Sequence, residues 1–182
     1  LDPRHARHED NVAYANFNDE HAAAPLLGWW AQTLDALADA DIGGFRFDSP
    51  HRVPTFAWRR LIDAVRASRH PSTRFLAATP GLVRSDVAAL EGVGFDAVFS
   101  SSRWWDFRAP WMLDEHALLM RIGSPVAFPE APYGTRLAAD LEHVHDAAIV
   151  ERAYRRALLT AVSTGTGWMM PMGFEYGVTE PM

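Results

Sequence analysis

Short apolar runs alternate along this chain with longer stretches in which apolar residues recur at helical spacing. The short runs have the length and composition of strands buried on both faces, and the longer stretches are typical of amphipathic helices. The predicted strands are 11–17, 43–48, 74–79, 97–100, 124–129 and 167–172. The predicted helices are 25–40, 54–68, 85–92, 110–121, 137–144 and 149–164. Alternation of this kind predicts an α/β fold with a parallel sheet.

Proline and serine residues suggest where several helices begin. Pro25 and Pro54 each fit the first turn of a helix, where the missing N–H costs nothing. Ser85 fits an N-cap position. The second helix should bury one face, formed by Trp58, Leu61, Ile62 and Val65.

Two architectures fit a parallel sheet with intervening helices, namely an open doubly wound sheet and a (β/α) barrel. No Gly-x-Gly-x-x-Gly motif follows the first strands, so nothing in the sequence supports dinucleotide binding. Polar residues follow several strand ends, at Asp48, Arg103, Asp106, Glu130 and Glu175. Both architectures place their sites at that end of the sheet, so this feature does not separate them.

Composition excludes several classes of chemistry. The 182 residues are 48% hydrophobic and 22% charged, which is typical of a globular domain. Cysteine is absent, which excludes disulfides, thiolate metal sites and a cysteine nucleophile. All 17 basic residues are arginine, which excludes Schiff-base lysine chemistry, and a net charge of −6 argues against nucleic-acid binding. With no long apolar run and no signal-peptide core, the sequence predicts a cytoplasmic protein that binds neither membrane nor cofactor.

The segment Gly44-Phe45-Arg46-Phe47-Asp48-Ser49-Pro50-His51 resembles the fourth-strand motif of the alpha-amylase family of glycoside hydrolases. The resemblance implies that Asp48 occupies the position of the catalytic nucleophile and that Arg46 holds its carboxylate ionised. Residues two apart on a strand point to the same side, so both side chains should emerge together. The resemblance also makes His51 a candidate contact for a sugar hydroxyl, although a capping role fits it equally well.

Later segments extend the resemblance to a bacterial subgroup similar to maltosyltransferases that act on α-1,4-glucans. They are 100–107, 127–130 with 135–138, and 169–177, which resemble strands six, seven and eight of that family. The implied fold is a partial (β/α)8 TIM-type barrel that covers about strands three to eight. Residues 1–182 are then predicted to be a single domain, the C-terminal portion of a catalytic barrel, with 1–10 as a flexible terminus.

Two catalytic positions of the family are changed here. Ala78 stands where the resemblance implies the general acid/base glutamate, and alanine cannot protonate a leaving glycosidic oxygen. Pro132 and Tyr133 stand where the family has a His-Asp pair that stabilises the transition state. A single designed substitution at Ala78 would not account for both changes.

The length of the chain is also short for the implied fold, because a complete barrel needs about 250 residues. An incomplete barrel would expose sheet edges and part of its core. We therefore expect either an N-terminal part on a longer polypeptide, a homo-oligomer, or an open sheet.

Five further residues are candidates for sugar binding: Trp104, Trp105, Asp106, Glu130 and Arg136. An aromatic face suits the apolar C–H side of a pyranose, but tryptophan is equally common in cores. Because adjacent side chains point apart, one of the two tryptophans at most should face a ligand. Glu130 could replace the missing acid, but a structural hydrogen bond to an arginine such as Arg136 or Arg103 fits it better.

The sequence therefore predicts a carbohydrate-binding domain for α-1,4-glucans or maltooligosaccharides that is catalytically impaired. The alternative is an active retaining glycosidase or glucan glycosyltransferase that uses Asp48 with another acid/base, such as Glu130 or Glu175. No metal site is predicted. His143 and His145 lie two apart on a helix and do not share a face, and Met169, Met170 and Met172 fit core packing.

Overall fold

The structure is a computed structural model that describes residues 15, 17, 19–68, 70–131 and 133–181. Its helices are α1 (Glu20–Asp39), α2 (Thr55–Arg66), α3 (Arg84–Ala88), α4 (Trp111–Ile122), α5 (Leu137–Asp140) and α6 (Ala147–Thr164). Its strands are β1 (Gly44–Phe47), β2 (Arg74–Ala77), β3 (Ala97–Phe99), β4 (Ser124–Ala127) and β5 (Gly167–Trp168). Short 3₁₀ helices lie at Pro50–Arg52, Ser101–Trp104 and Phe174–Tyr176. The strand predicted at 11–17 and the terminus predicted at 1–10 lie outside the described residues.

The strands form a sheet in the order β1-β2-β3-β4-β5. Gly44 pairs with Arg74 in parallel, and this register continues to Phe47 and Ala77. Parallel pairing also joins β2 to β3 and β4 to β5. Sequential parallel strands with a helix between successive strands confirm the predicted α/β class.

The described chain divides into two compact units. The first contains the residues up to Val98 together with Arg121–Gly123, and the second contains Phe99–Met120 and the residues from Ser124 onward.

In the first unit, α2 packs on one face of β1 and β2. The predicted apolar face of α2 is buried, and it consists of Trp58, Leu61, Ile62 and Val65. The ring of Trp58 meets the ring of Phe47 edge-on at 4.7 Å between centroids, and Phe75 and Ala77 on the same sheet face have no exposed surface. Residues alternate between the two faces of a strand, so the opposite face carries Arg46 and Leu76.

The second unit has a core that contains Phe99, Met112, Leu119 and Phe128. The backbone continues the sheet here, because the amide of Ser100 donates to the carbonyl oxygen of Val126 at 2.8 Å. Helix α6 begins at an N-cap, where the Asp146 side chain accepts from the amide of Ala148.

The helix starts predicted from Pro25 and Ser85 are wrong. Helix α1 begins five residues before Pro25, because the Asp19 carboxylate accepts a hydrogen bond from the amide of Ala22 at 2.7 Å and caps the helix. Pro25 therefore lies inside α1. Ser85 is not the N-cap, since α3 starts at Arg84 and Val83 occupies the N-cap position.

Several elements are shorter than predicted, and β5 and α5 show this clearly. Strand β5 ends at Trp168. The amide of Met169 donates the last hydrogen bond of this pairing, to the carbonyl oxygen of Ala127 at 2.8 Å. Pro171 follows and has no N–H to extend the ladder. Helix α5 ends at Asp140, four residues before the predicted end.

Candidate functional site

Arg46 and Asp48 form a bidentate ion pair where β1 ends. The Nε atom of Arg46 lies 3.2 Å from Oδ1 of Asp48, and its Nη2 donates to Oδ2 at 3.2 Å. The side chain of Asp48 is 65% exposed, whereas that of Arg46 is 28% exposed. These two parallel contacts from the guanidinium fix the rotamer of the Asp48 carboxylate, which remains accessible to a ligand.

The chain turns sharply after Asp48. Ser49 has a φ of 52°, in the left-handed region, and the 3₁₀ helix Pro50–Arg52 follows directly. The carbonyl of Pro50 accepts a 2.8 Å hydrogen bond from the buried Trp58 indole, which ties this turn to α2. The turn carries His51, whose Nδ1 is buried without a hydrogen-bond partner among the described residues.

Ala78 is the first residue after β2, as Asp48 is the first residue after β1. The register that pairs Phe47 with Ala77 places position 78 across from position 48, and the amide of Ala78 donates to the carbonyl oxygen of Phe47 at 2.9 Å. Residues paired in a parallel ladder point to the same face, and neighbouring strands lie about 4.8 Å apart. Position 78, the first residue after β2, is therefore the place from which a side chain would be expected to point to the same side as the Asp48 carboxylate.

Glu130 and Arg136 form a buried ion pair in the second unit. Nε of Arg136 donates to Oε1 of Glu130 at 2.7 Å, and both side chains are 1% exposed. The second carboxylate oxygen accepts from the amide of Leu137 at 2.8 Å, at the start of α5. The structure therefore contains the Glu130–arginine bond that the sequence predicts, and neither side chain is presented to solvent.

Arg136 also binds the C-terminal segment. Its Nη2 donates to the carbonyl oxygen of Met172 at 2.9 Å, and its Nη1 to that of Glu180 at 3.4 Å. Burial and the Glu130 charge raise the pKa of nearby Tyr154, although the Arg136 charge opposes this shift.

The tryptophan pair after β3 is split between two environments. Trp104 is 52% exposed, and its ring meets Phe128 edge-on at 5.7 Å. Trp105 is half-buried, and its indole N–H donates to the carbonyl oxygen of Ala109 at 2.9 Å. Asp106 is exposed and accepts from the amide of Arg108 at 2.9 Å, which closes a turn.

The remaining predicted positions are exposed. Tyr133 is 62% exposed, and its neighbour Pro132 lies outside the described residues. Glu175 lies on the 3₁₀ helix Phe174–Tyr176 and is exposed. His143 and His145 are also exposed. Within the described ranges, no group of three or more His, Asp or Glu side chains is placed to hold a metal ion.

A cavity in the second unit was missed by sequence reasoning. It is lined by residues of the 3₁₀ helix Ser101–Trp104, the following loop and α6, among them Ser102, Arg103, Arg156 and Thr160. Trp105 and Asp106, which the sequence named as candidates for sugar binding, also line it. The wall from α6 was missed, although the spacing of Ala153, Arg156 and Thr160 places them on one helix face.

Comparison with known proteins supports the resemblance. No protein-family model matches the chain. The alpha-1,4-glucan:maltose-1-phosphate maltosyltransferase of Burkholderia pseudomallei (strain K96243) is 48% identical over 178 residues, 98% of this chain. The resemblance to the alpha-amylase family is confirmed. The chain spans 16% of the length of this curated relative.

A solved structure supports the fold. The alpha-amylase from Anoxybacillus matches 91% of this chain with a TM-score of 0.66, at 16% sequence identity and over 38% of its own length. Together with the sequential parallel sheet, this match identifies the fold as a partial (β/α)8 TIM-type barrel. No helix among the described residues is long and apolar enough to cross a membrane.

Proposed function

We propose that this chain provides an α-1,4-glucan-binding site of amylase type that binds its glucan without turning it over. Asp48 occupies the nucleophile position, Arg46 orients it, and His51 lies on the adjoining turn. The exposed Asp48 carboxylate and its bidentate guanidinium support this proposal, as do the names of the maltosyltransferase and amylase relatives.

The register between β1 and β2 carries the proposal that catalysis is impaired. A retaining glycosidase needs two carboxyl groups about 5–5.5 Å apart, one as nucleophile and one as acid/base. Ala78 occupies the position across from Asp48, and its methyl group has no proton to give. General acid–base assistance contributes about 10²–10⁴-fold to the rate of such reactions.

The second changed position agrees with this proposal. Tyr133 stands where the family has the aspartate of its His-Asp pair, and an exposed phenol supplies no carboxylate there. Loss of both groups leaves Asp48 as the one catalytic carboxylate that the resemblance assigns within this chain.

The alternative is an active retaining enzyme with another acid/base. Glu130 is a poor candidate, because it is buried and held by Arg136 and the Leu137 amide. Glu175 is exposed and free of such bonds in the described residues, so it is the better candidate for this role.

Binding is tested first, by calorimetric titration of the full chain with maltohexaose. We expect binding that Asp48→Asn and Arg46→Met weaken, while Arg84→Met, on the exposed surface of α3, leaves it unchanged. Absence of binding to any maltooligosaccharide contradicts the proposal.

Catalysis is tested with the pair Ala78→Glu and Ala78→Gln. Wild type and Ala78→Gln should release no reducing sugar and transfer no maltosyl group. The turnover rate of Ala78→Glu should exceed the detection limit set by Ala78→Gln roughly 10²-fold or more. This activity should vanish when Asp48→Asn is added. Clear wild-type turnover that Asp48→Ala abolishes would show instead that the chain is an active enzyme, and loss of that turnover in Glu175→Gln would identify the acid.

A further inference from the structure

A partly enclosed cavity of about 180 Å³ lies in the second unit. One wall is formed by the 3₁₀ helix Ser101–Trp104 and the loop after it, and the opposite wall by one face of α6. At about 30 Å³ per water molecule, this volume corresponds to roughly six waters, or to one sugar ring.

Two residues that line this cavity, Ser102 and Arg103, each carry a buried polar atom without a hydrogen-bond partner among the described residues. These atoms are Oγ of Ser102 and Nε of Arg103. Ser102 is 1% exposed, and its backbone is fixed because its amide donates to Oγ of Ser100 at 3.1 Å. Nη2 of Arg103 donates to Oδ2 of Asp140 at 3.1 Å, which holds the guanidinium in place. A buried polar group without a partner destabilises the protein, so a polar ligand at this place would be favoured.

The charges around the cavity favour a neutral ligand. Arg103 is neutralised by Asp140, and the cavity wall also carries one further cation, Arg156, and one further anion, Asp106. Within the cavity itself, a phosphate would therefore meet no net positive charge, although Arg152 and Arg155 line the adjoining groove. Neutral hydroxyl groups can use both kinds of partner, because a hydroxyl donates to a carboxylate and accepts from a guanidinium.

Aromatic rings form another part of the wall. Trp105 and Phe107 lie with their ring centroids 4.4 Å apart, and the bond from the Trp105 indole to Ala109 holds this pair in place. A flat apolar ring beside several hydrogen-bonding groups matches the two-sided surface of a pyranose, which has C–H groups on its faces and hydroxyls at its edge.

The cavity continues into a shallower groove of about 900 Å³. Both are lined by Trp105, Phe107, Arg156 and Thr160, and the groove extends along α6 to Leu159 and Ser163. A ring held in the cavity would therefore have room for the next unit of a chain.

We infer that this cavity is a sugar-binding subsite for one pyranose unit of an α-glucan, with Ser102, Arg103 and Asp106 binding its hydroxyls. The choice of an α-glucan rests on the proposed function, whereas the preference for a neutral, polyhydroxylated ring rests on the cavity itself.

The test uses amide chemical shifts of the full chain during titration with maltose and, separately, with inorganic phosphate. Maltose should shift the amides of Ser102, Arg103 and Thr160, and phosphate should not. Ala157→Leu fills the cavity from α6 and should weaken this binding at least about tenfold. Ala148→Leu, exposed near the start of the same helix, is the matched control and should bind like wild type.

A second variant guards against misfolding. Ser102→Ala removes a hydroxyl that has no hydrogen-bond partner in the described part of the chain, so it should leave the unliganded protein at least as stable while weakening maltose binding.

The outcomes separate this inference from the proposed function. Shifts around Asp48 and Ala78 without shifts at Ser102 would overturn the subsite and leave the proposed function standing. Shifts at Ser102 without any around Asp48 would support the subsite and overturn the proposed function. Shifts at Ser102 with phosphate but not with maltose would mean an anion site, and absence of any shift would overturn both proposals.

Discussion

The arginine–carboxylate pairs Arg46–Asp48 and Glu130–Arg136 differ mainly in exposure. Asp48 keeps 65% of its side chain exposed beside Arg46, whereas Glu130 and Arg136 are each 1% exposed. The exposed pair retains free carboxylate surface that a ligand can use. In the buried pair, Glu130 also accepts from the Leu137 amide, and Arg136 also donates to the carbonyl oxygens of Met172 and Glu180. The same two residue types therefore form an accessible pair in one region and a buried, fully hydrogen-bonded pair in the other.

The largest effect is expected when the buried pair is broken. Arg136→Met leaves the Glu130 carboxylate buried without its cation, which should lower the free energy of unfolding by about 3–5 kcal/mol. Urea unfolding measures this loss. Arg155→Met is the matched control, because Arg155 pairs with Glu151 on the exposed side of α6, and it should cost about 0.3–0.5 kcal/mol. Equal losses in the two variants would contradict the contrast between buried and exposed pairs.

A smaller effect is expected at Glu115, a half-buried carboxylate without an arginine partner among the described residues. Burial raises its pKa, while hydrogen bonding from Ser101 opposes the shift. Since the folded state then holds its proton to higher pH than the unfolded state, this stabilising contribution is complete below the unfolded pKa of about 4.3. It is lost as pH rises through the folded pKa.

Glu115→Gln removes this titration. The unfolding free energy of wild type minus that of Glu115→Gln should therefore fall as the pH is raised from about 4 toward 7, by about 1.4 kcal/mol for each pH unit of pKa shift. Urea unfolding over this range measures it. Parallel pH profiles for the two proteins would show that the pKa of Glu115 is the same in the folded and unfolded states.

The smallest effect on stability is expected at the exposed pair. Arg46→Met should change the free energy of unfolding by no more than about 1 kcal/mol, because exposed ion pairs contribute little. The same variant should weaken maltohexaose binding, since the Asp48 carboxylate loses the guanidinium that orients it. Urea unfolding and calorimetric titration test the two parts, and a large loss of stability with unchanged binding would assign this pair a structural role.

Local patterns predicted the elements better than their ends. The face of α2 that carries Trp58 and Ile62 is buried as its spacing indicates. The start of α1 was missed because Pro25 was placed in the first turn, while the Asp19 cap lies six residues earlier. The early end of β5 was also missed. The length of this strand depends on how far β4 continues to pair with it, as well as on its own residues.

For this protein, the sequence by itself determined the alternation of strands and helices, and the emergence of Arg46 and Asp48 on one side of β1. Both follow from backbone periodicity, which is a local property. Only the tertiary structure decided that Ala78 lies across from Asp48, that Glu130 is buried with Arg136, and that Ser102 and Arg103 meet α6 at a cavity. These features depend on register and packing between segments far apart in the chain, which no local pattern encodes.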